Sequence, residues 1–199
     1  MNSSKYSFFA LISRMKYITR WTLMRNITPE NISEHSHMVA VIAHALAVIR
    51  RDIYKIDIDP NAVAAMAIYH DSSEIFTGDL PTPIKYFDPE IMGSYKKVEA
   101  VASEKLLTAL PNELRFEYSK ILSPDQSSRE YNLVKAADKL AAYIKCVEEC
   151  VSGNPEFKQA AKQCREKLEA LNCAEVDYFL KHLMPAFELT LDELDFSID

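Results

Sequence analysis

The chain has 199 residues, of which 48% are hydrophobic and 26% charged, so it carries enough apolar material for one globular domain and too much for a disordered chain. Its net charge of −6 has the wrong sign for a protein that wraps a nucleic-acid backbone, which argues against a polymeric nucleic acid as partner. Only three glycines serve the whole length. Because sheet-rich domains use glycine in turns and bulges, this shortage favours an all-α fold.

Hydrophobic residues recur with a period close to 3.6 along the chain, which predicts a series of amphipathic helices. A first helix is marked by four apolar residues near the N-terminus, Phe8, Phe9, Ile12 and Met15. The second helix is predicted over about 33–50. A third is predicted from Pro60, with Asp59 as its N-cap, to about Phe76, before Gly78 stops it.

The segment 77–89 contains three prolines, so we expect a shaped loop there, of the kind that often carries function. Further helices are predicted over about 89–109, 111–122, 128–151, 155–171 and 174–184, followed by a short acidic tail. Because no repeat, low-complexity tract or flexible linker interrupts the pattern, we predict a single domain over residues 1–199.

The cysteines and the N-terminal residues indicate the cellular compartment of the protein. Four cysteines form no CxxC pair, and the first residues lack the long apolar core of a signal peptide. No run of 18 apolar residues is present, so no segment is expected to span a membrane. We therefore expect a protein of the reducing cytoplasm that does not act at a membrane.

Polar residues interrupt the apolar stripes of three predicted helices. His35 shares a face with apolar residues three, four, seven and eleven positions further on, and His70, next to Asp71, follows apolar residues by three, four and seven. Asp138 lies in the middle of the apolar stripe of the helix over 128–151. A lone inward histidine is usually a satisfied core residue, and a lone aspartate usually caps or pairs. Several such groups together are costly to bury unless something neutralises them.

Two imidazoles and two carboxylates offer mixed nitrogen and oxygen ligands. Such a set suits Mn²⁺, Co²⁺, Zn²⁺ or Fe²⁺ rather than an oxygen-only Ca²⁺ site. With neutral imidazoles the two carboxylates balance a divalent cation, so burying the assembly costs far less than burying its parts. The pattern therefore indicates a metal site.

The dipeptide His70-Asp71, with a histidine one helix earlier and an aspartate much later, resembles the pattern that names the HD superfamily of metal-dependent phosphohydrolases. Neighbouring motifs sharpen the likeness; they are RW at 20–21, MRN at 24–26, SEHS at 33–36, YHDSSE at 69–74 and TGDLPTPIKYF at 77–87. This set resembles the bacterial HD-domain 5′-deoxynucleotidases of the YfbR type over nearly the full chain.

The resemblance implies a single HD-type helical domain with a shaped loop over a one-metal site. It implies hydrolysis of deoxyribonucleoside 5′-monophosphates to nucleoside and phosphate, with selectivity against ribonucleotides. The implied metal ligands are His35, His70, Asp71 and Asp138. Co²⁺ or Mn²⁺ is the favoured ion, with Zn²⁺, Fe²⁺ or Cu²⁺ as the other candidates. The resemblance also implies a homodimer.

The same resemblance assigns roles in the substrate pocket. Glu74 is the expected acid or base, and Arg20 and Asp71 are further expected catalytic residues. The expected substrate contacts are Arg20, Trp21, His35, Asp71, Asp79, Leu80, Pro81, Thr82 and Asp138. The residues themselves agree with these roles, since Arg20 lies in an acid-free stretch where a guanidinium can clamp a phosphate. Glu74 lies one helical turn beyond His70, where it can stand beside a metal without ligating it.

Two alternatives stay open at this point. One is another HD-type enzyme, a triphosphohydrolase or a phosphodiesterase, against which the short chain and the absence of extra basic clusters argue. The other is a non-catalytic helical binding module in which the four ligands close a structural metal site. Glu74 and Arg20 discriminate between them, because a structural site needs neither residue.

Overall fold

The computed structural model describes residues 6–81, 84 and 87–194. Its regular structure is helical, and within these residues the extended backbone pairing is a single antiparallel bridge between Thr19 and Asn31. The all-α fold class predicted from the sequence is confirmed.

Nine α-helices occur in the described part of the chain. They are α1 Phe8–Ile12, α2 Ile32–Val48, α3 Pro60–Ile68, α4 Glu74–Thr77, α5 Pro89–Thr108, α6 Asn112–Leu122, α7 Arg129–Val151, α8 Lys158–Glu169 and α9 Ala174–His182. Short 3₁₀ helices are Ser13–Tyr17, Pro155–Phe157, Met184–Glu188 and Leu191–Glu193, and a π-helical turn, Ile49–Ile53, extends α2.

Local signals explain where the central helices begin. The Asn31 side chain accepts a hydrogen bond from the Glu34 backbone N–H, and the Glu34 carboxylate accepts one from the Asn31 N–H, which forms a capping box at α2. Asp59 caps α3 and Pro60 occupies its first position, as predicted. Ser128 caps α7 through the Tyr131 N–H. These caps fix the residue at which α2, α3 and α7 each begin.

The predicted third helix is wrong in its extent, because α3 ends at Ile68 rather than near Phe76. Backbone hydrogen bonds from Tyr69 and His70 go to carbonyls three residues earlier, which ends the α-helical ladder and begins a series of turns before α4. A regular helix would point the side chains of His70 and Asp71 about 100° apart. The turn instead lets both neighbours face one point.

The main core lies between α2, α3 and α7. Its fully buried residues include Val39, Ile42 and Leu46 of α2, Val63 and Ala67 of α3, and Leu133, Leu140 and Ile144 of α7. By length and composition alone the segment Ile32–Ile53 is apolar enough to cross a membrane, but more than half of it is buried inside the fold. Its hydrophobicity is that of a central core helix.

A smaller cluster joins the N-terminal helix to α5 and α6. It contains Phe8, Leu106, Leu110 and Leu122, with Tyr69 and Tyr118 packed against it. The Phe8 ring lies 5.0 Å from the Tyr118 ring in an edge-to-face arrangement. Because Tyr69 directly precedes His70, this cluster braces the turn that carries the His-Asp pair.

Candidate metal site and substrate pocket

Three elements bring the four candidate ligands to one point. His35 projects from the first turn of α2, His70 and Asp71 from the turn after α3, and Asp138 from α7. One potential ligand atom from each lies within 4.8 Å of all the others. His35 Nε2 is 3.1 Å from Asp138 Oδ1, and His70 Nε2 is 3.1 Å from Asp71 Oδ2. This spacing is short enough for all four atoms to reach one cation.

The hydrogen bonding of His70 suits a ligand role. Its Nδ1 lies 2.8 Å from the Ala67 carbonyl oxygen, so Nδ1 is protonated and Nε2, which faces the carboxylates, is the nitrogen that would ligate a metal. Among the described residues that buried Nε2 makes no well-aligned hydrogen bond, although Asp71 Oδ2 lies 3.1 Å away. A buried, correctly oriented nitrogen of this kind fits a metal ion.

The charges of the cluster point the same way. Burial lowers the pKa of His70, but the nearby carboxylates of Asp71 and Asp138 outweigh it and raise the pKa to about 10. Burial raises the pKa of Asp138, but the Lys135 ammonium and the two histidines bring it well below the usual range. The paired carboxylates thus require positive charge between them, which a divalent ion would supply.

Arg20 lies at the edge of this cluster. Its Nε donates to Glu30 Oε2 at 3.1 Å, and its Nη1 donates to Asp71 Oδ2 at 3.4 Å. Burial lowers the pKa of Arg20, but Asp71, Asp138 and Glu30 together raise it above its ordinary value, so the guanidinium stays charged. Glu30 was missed by the sequence reasoning, because no periodicity connects it to a residue ten positions earlier in a non-helical segment.

Trp21 is held in an unusual backbone conformation. Its φ of 57° lies in the left-handed region, which costs a bulky side chain about 1–2 kcal/mol. The Nε1–H donates to Glu30 Oε2 at 3.2 Å, the ring centroid lies 5.4 Å from that of Phe157, and Asn26 Nδ2 donates to the Trp21 carbonyl. Glu30 therefore orients both residues of the Arg-Trp pair.

A buried carboxylate anchors the segment that carries this pair. Glu149 of α7 accepts hydrogen bonds from the backbone N–H groups of Ile27 and Thr28, from Asn154 and from Lys145. Burial raises the pKa of Glu149, but these donors bring it down to about 2. The sequence reasoning missed Glu149, since it resembles the exposed acidic residues of an ordinary helix.

The residues around α4 and directly after it lie on the other side of the site. Glu74 begins α4 and is buried, and Gly78 with a φ of 72° ends that helix in a conformation that favours glycine. Burial raises the pKa of Asp79, while the Arg20 charge opposes the shift. Asp79, Leu80 and Pro81 line the pocket, whereas the predicted contact Thr82 lies outside the described residues.

These residues surround a cavity of about 740 Å³, large enough for a nucleotide. Arg20, Trp21, Asp71, Glu74 and Asp138 line it together with the loop after Gly78. Four carboxylates and four cationic side chains face the cavity. With neutral histidines a divalent ion would add the excess positive charge that a dianionic phosphate requires.

The cavity also contains lysines that the sequence reasoning overlooked. Lys135 donates to Asp138 Oδ2 at 3.1 Å, and Lys139 and Lys167 lie along the same side. The argument that the chain has no extra basic cluster is therefore wrong, because helix packing assembles one from α7 and α8. The spacing of Lys135, three residues before Asp138, was the available signal for the first of them.

Known proteins resemble this chain over almost its whole length. The family model of the YfbR-like 5′-deoxynucleotidases matches residues 7–187. A 5′-deoxynucleotidase of Vibrio atlanticus is 48% identical over 188 residues, and one of Vibrio cholerae is 50% identical over 192; each alignment covers 94% of this chain and 97% of the relative. An HD-domain phosphohydrolase from Listeria innocua, lin2634, superposes with a TM-score of 0.78 at 25% identity, over 91% of this chain and 88% of that one. The sequence similarity and the His-Asp cluster together show that the chain belongs to the YfbR-like 5′-deoxynucleotidase family.

Proposed function

We propose that this protein hydrolyses deoxyribonucleoside 5′-monophosphates to deoxyribonucleoside and inorganic phosphate. The observation that carries the proposal is the partly buried His-Asp cluster at one side of a nucleotide-sized cavity, with a charged guanidinium 3.4 Å from one of its carboxylates. The names of the 5′-deoxynucleotidases that share about half of its residues support the same reaction. Family membership leaves no support for a non-catalytic binding module.

His35, His70, Asp71 and Asp138 would hold the metal. When bound, a divalent ion polarises a phosphoryl oxygen and lowers the pKa of bound water. Mixed nitrogen and oxygen donors suit Mn²⁺, Co²⁺, Zn²⁺ or Fe²⁺. Among these we propose Co²⁺ or Mn²⁺, as the family resemblance implies, and Cu²⁺ is a further ion to test.

Arg20 and Glu74 supply what a purely structural metal site lacks. The Arg20 guanidinium, fixed by Glu30, presents its remaining N–H donors to the phosphate and offsets charge that develops on it. Glu74 is buried at the pocket wall, where it gives or takes the proton of the attacking or leaving oxygen. Asp71 contributes to the same end of the pocket, since it contacts both Arg20 and His70.

Trp21 and the residues 79–81 form the sugar subsite in this proposal. Pro81 stiffens the loop, the Asp79 carboxylate accepts a hydrogen bond from a sugar hydroxyl, and the Trp21 ring cannot retreat because Phe157 packs behind it. A wall that cannot relax excludes the 2′-hydroxyl of a ribonucleotide. A hydrophobic pocket alone would reject that hydroxyl by only about 10²-fold.

The test is a metal analysis followed by phosphate release from matched deoxy and ribo monophosphates. We expect one divalent ion per chain and a higher kcat/KM for dAMP than for AMP, with little dependence on the base. Equal rates on both sugars would leave a general 5′-nucleotidase, and absence of phosphate release from every nucleotide in the metal-loaded protein would refute the proposal.

We also propose a single domain over 1–199, a homodimeric state and a cytoplasmic location. All four cysteines are free thiols, as expected in a reducing compartment. The main hydrophobic cluster includes Ala67 of α3 and the smaller one packs against Tyr69, two residues further on, so the two clusters are not separated by a linker. Sedimentation of the purified protein would test the dimer.

A further inference from the structure

A group of lysines lies in the pocket beside the proposed metal site. Lys139 follows Asp138 directly on α7 and is half-buried, and Lys167 projects from the facing helix α8. Lys135 differs from these two because its ammonium is already paired with Asp138 Oδ2. In the part of the chain that the structure describes, no carboxylate lies within 4.0 Å of the Lys139 or Lys167 ammonium groups.

Lys139 and Lys167 project from two different helices onto one wall of the cavity, Lys139 half-buried and Lys167 exposed, and Cys164 lies on the same wall. Both side chains are positively charged and neither is paired with a carboxylate of the described residues, so they repel each other. Fully solvated lysines on one helix would extend away from each other, whereas these two from different helices share one concave surface. An anion placed between them would relieve the repulsion.

We propose that Lys139 and Lys167 form a second anion subsite, which binds a second phosphoryl group on a nucleotide whose first phosphate occupies the metal site. The inference rests on the proposed function, because it uses that site to hold the first phosphate. This anion subsite can bind either a β-phosphate on the 5′ side of the nucleotide or a 3′-phosphate, because both present the same anionic oxygens. Nucleotides with two phosphates are therefore ligands that occupy the monophosphatase pocket and inhibit it.

The two lysines should give a measurable preference. A lysine contact with a phosphate in a half-buried pocket strengthens binding by about tenfold, so the pair should favour a second phosphate by about ten- to a hundredfold. The probes are dADP and deoxyadenosine 3′,5′-bisphosphate, each measured as an inhibitor of dTMP hydrolysis by the metal-loaded enzyme. The reference is the KM for dAMP in the same assay.

We expect at least one probe to have an inhibition constant at least tenfold below the KM for dAMP. The probe that does so shows whether the second phosphate is bound on the 5′ side or at the 3′ position. The double variant K139Q/K167Q should raise this constant at least tenfold relative to the KM for dAMP. Lys162→Gln is the matched control, since Lys162 is exposed on α8 outside the pocket. Metal content and melting temperature of each variant are compared with those of the unmodified enzyme.

Three results would overturn the subsite. The first is that neither probe binds more tightly than dAMP. The second is that a probe inhibits tightly and K139Q/K167Q does not weaken this inhibition. The third is that Lys162→Gln weakens the inhibition as much as K139Q/K167Q does. Failure of the proposed function appears differently, as absence of dTMP hydrolysis, and probe binding to the metal-loaded protein is then measured by calorimetry.

Discussion

Glu30 is the residue whose removal tests the architecture of the pocket most directly. One of its carboxylate oxygens accepts hydrogen bonds from Arg20 Nε at 3.1 Å and from Trp21 Nε1 at 3.2 Å. Glu30→Ala removes both, and leaves Arg20 tethered to Asp71 by a single longer contact of 3.4 Å. The variant should therefore loosen the phosphate clamp and the sugar wall together.

The expected size follows from the strength of the lost bonds. A hydrogen bond to a charged group contributes about 1.5–3 kcal/mol, which corresponds to about a 10- to 100-fold fall in kcat/KM. Because Glu30 is not in the His-Asp cluster, bound metal should stay at its original stoichiometry. The dAMP to AMP ratio of kcat/KM should narrow, since Trp21 is no longer fixed.

The assay compares steady-state hydrolysis of dAMP and AMP, with metal content, for Glu30→Ala and Glu30→Gln. Glutamine keeps one acceptor oxygen but loses the charge, so its kcat/KM should lie between those of the unmodified enzyme and the alanine variant. Glu117→Gln is a suitable control, because it removes an exposed carboxylate that pairs with Lys120 on α6. An unchanged kcat/KM and an unchanged sugar ratio in Glu30→Ala would refute the orienting role of Glu30.

Further predictions concern the metal, the proton transfer, the sugar and the fold. The four proposed metal ligands are His35, His70, Asp71 and Asp138. Alanine substitution of each should abolish bound metal and activity together, and a variant that keeps both would show that the substituted residue is not a ligand. Glu74→Ala should keep the metal while kcat falls by roughly 10²-fold or more, and a near-normal kcat would exclude an acid or base role. Trp21→Ala should raise kcat/KM for AMP relative to that for dAMP without loss of metal. An unchanged ratio would show that Trp21 does not exclude the 2′-hydroxyl. The pKa of Glu149 falls from 4.5 to about 2 on folding, so its stabilisation is present above pH 4.5 and is lost as the pH falls towards 2. Denaturant unfolding of Glu149→Gln should show a loss of up to about 3 kcal/mol at pH 7 and a weaker pH dependence between about pH 5 and 2; parallel curves for both proteins would contradict this.

Much of the fold could be predicted because its signals are local. Asp59 and Pro60 mark the start of α3 through their own backbone preferences, and those preferences do not depend on distant residues. The 3.6-residue period placed His35 and Asp138 on inward faces, and both project into one cluster. The apolar stripes of α2 and α7 likewise correspond to the buried core.

The tertiary structure decided what depends on departures from regular geometry and on contacts between distant segments. Periodicity extended α3 through His70, but the chain leaves the helix there so that two adjacent side chains meet at one point. Glu30 acquires its role from a non-helical segment, and Lys139 and Lys167 meet only because α7 packs on α8. A periodic pattern reports which face of a helix is buried, but it contains no information on which other segment that face meets. The His-Asp motif was therefore readable in the sequence, whereas the residues that orient its neighbours and the charge of the cavity wall were determined by packing.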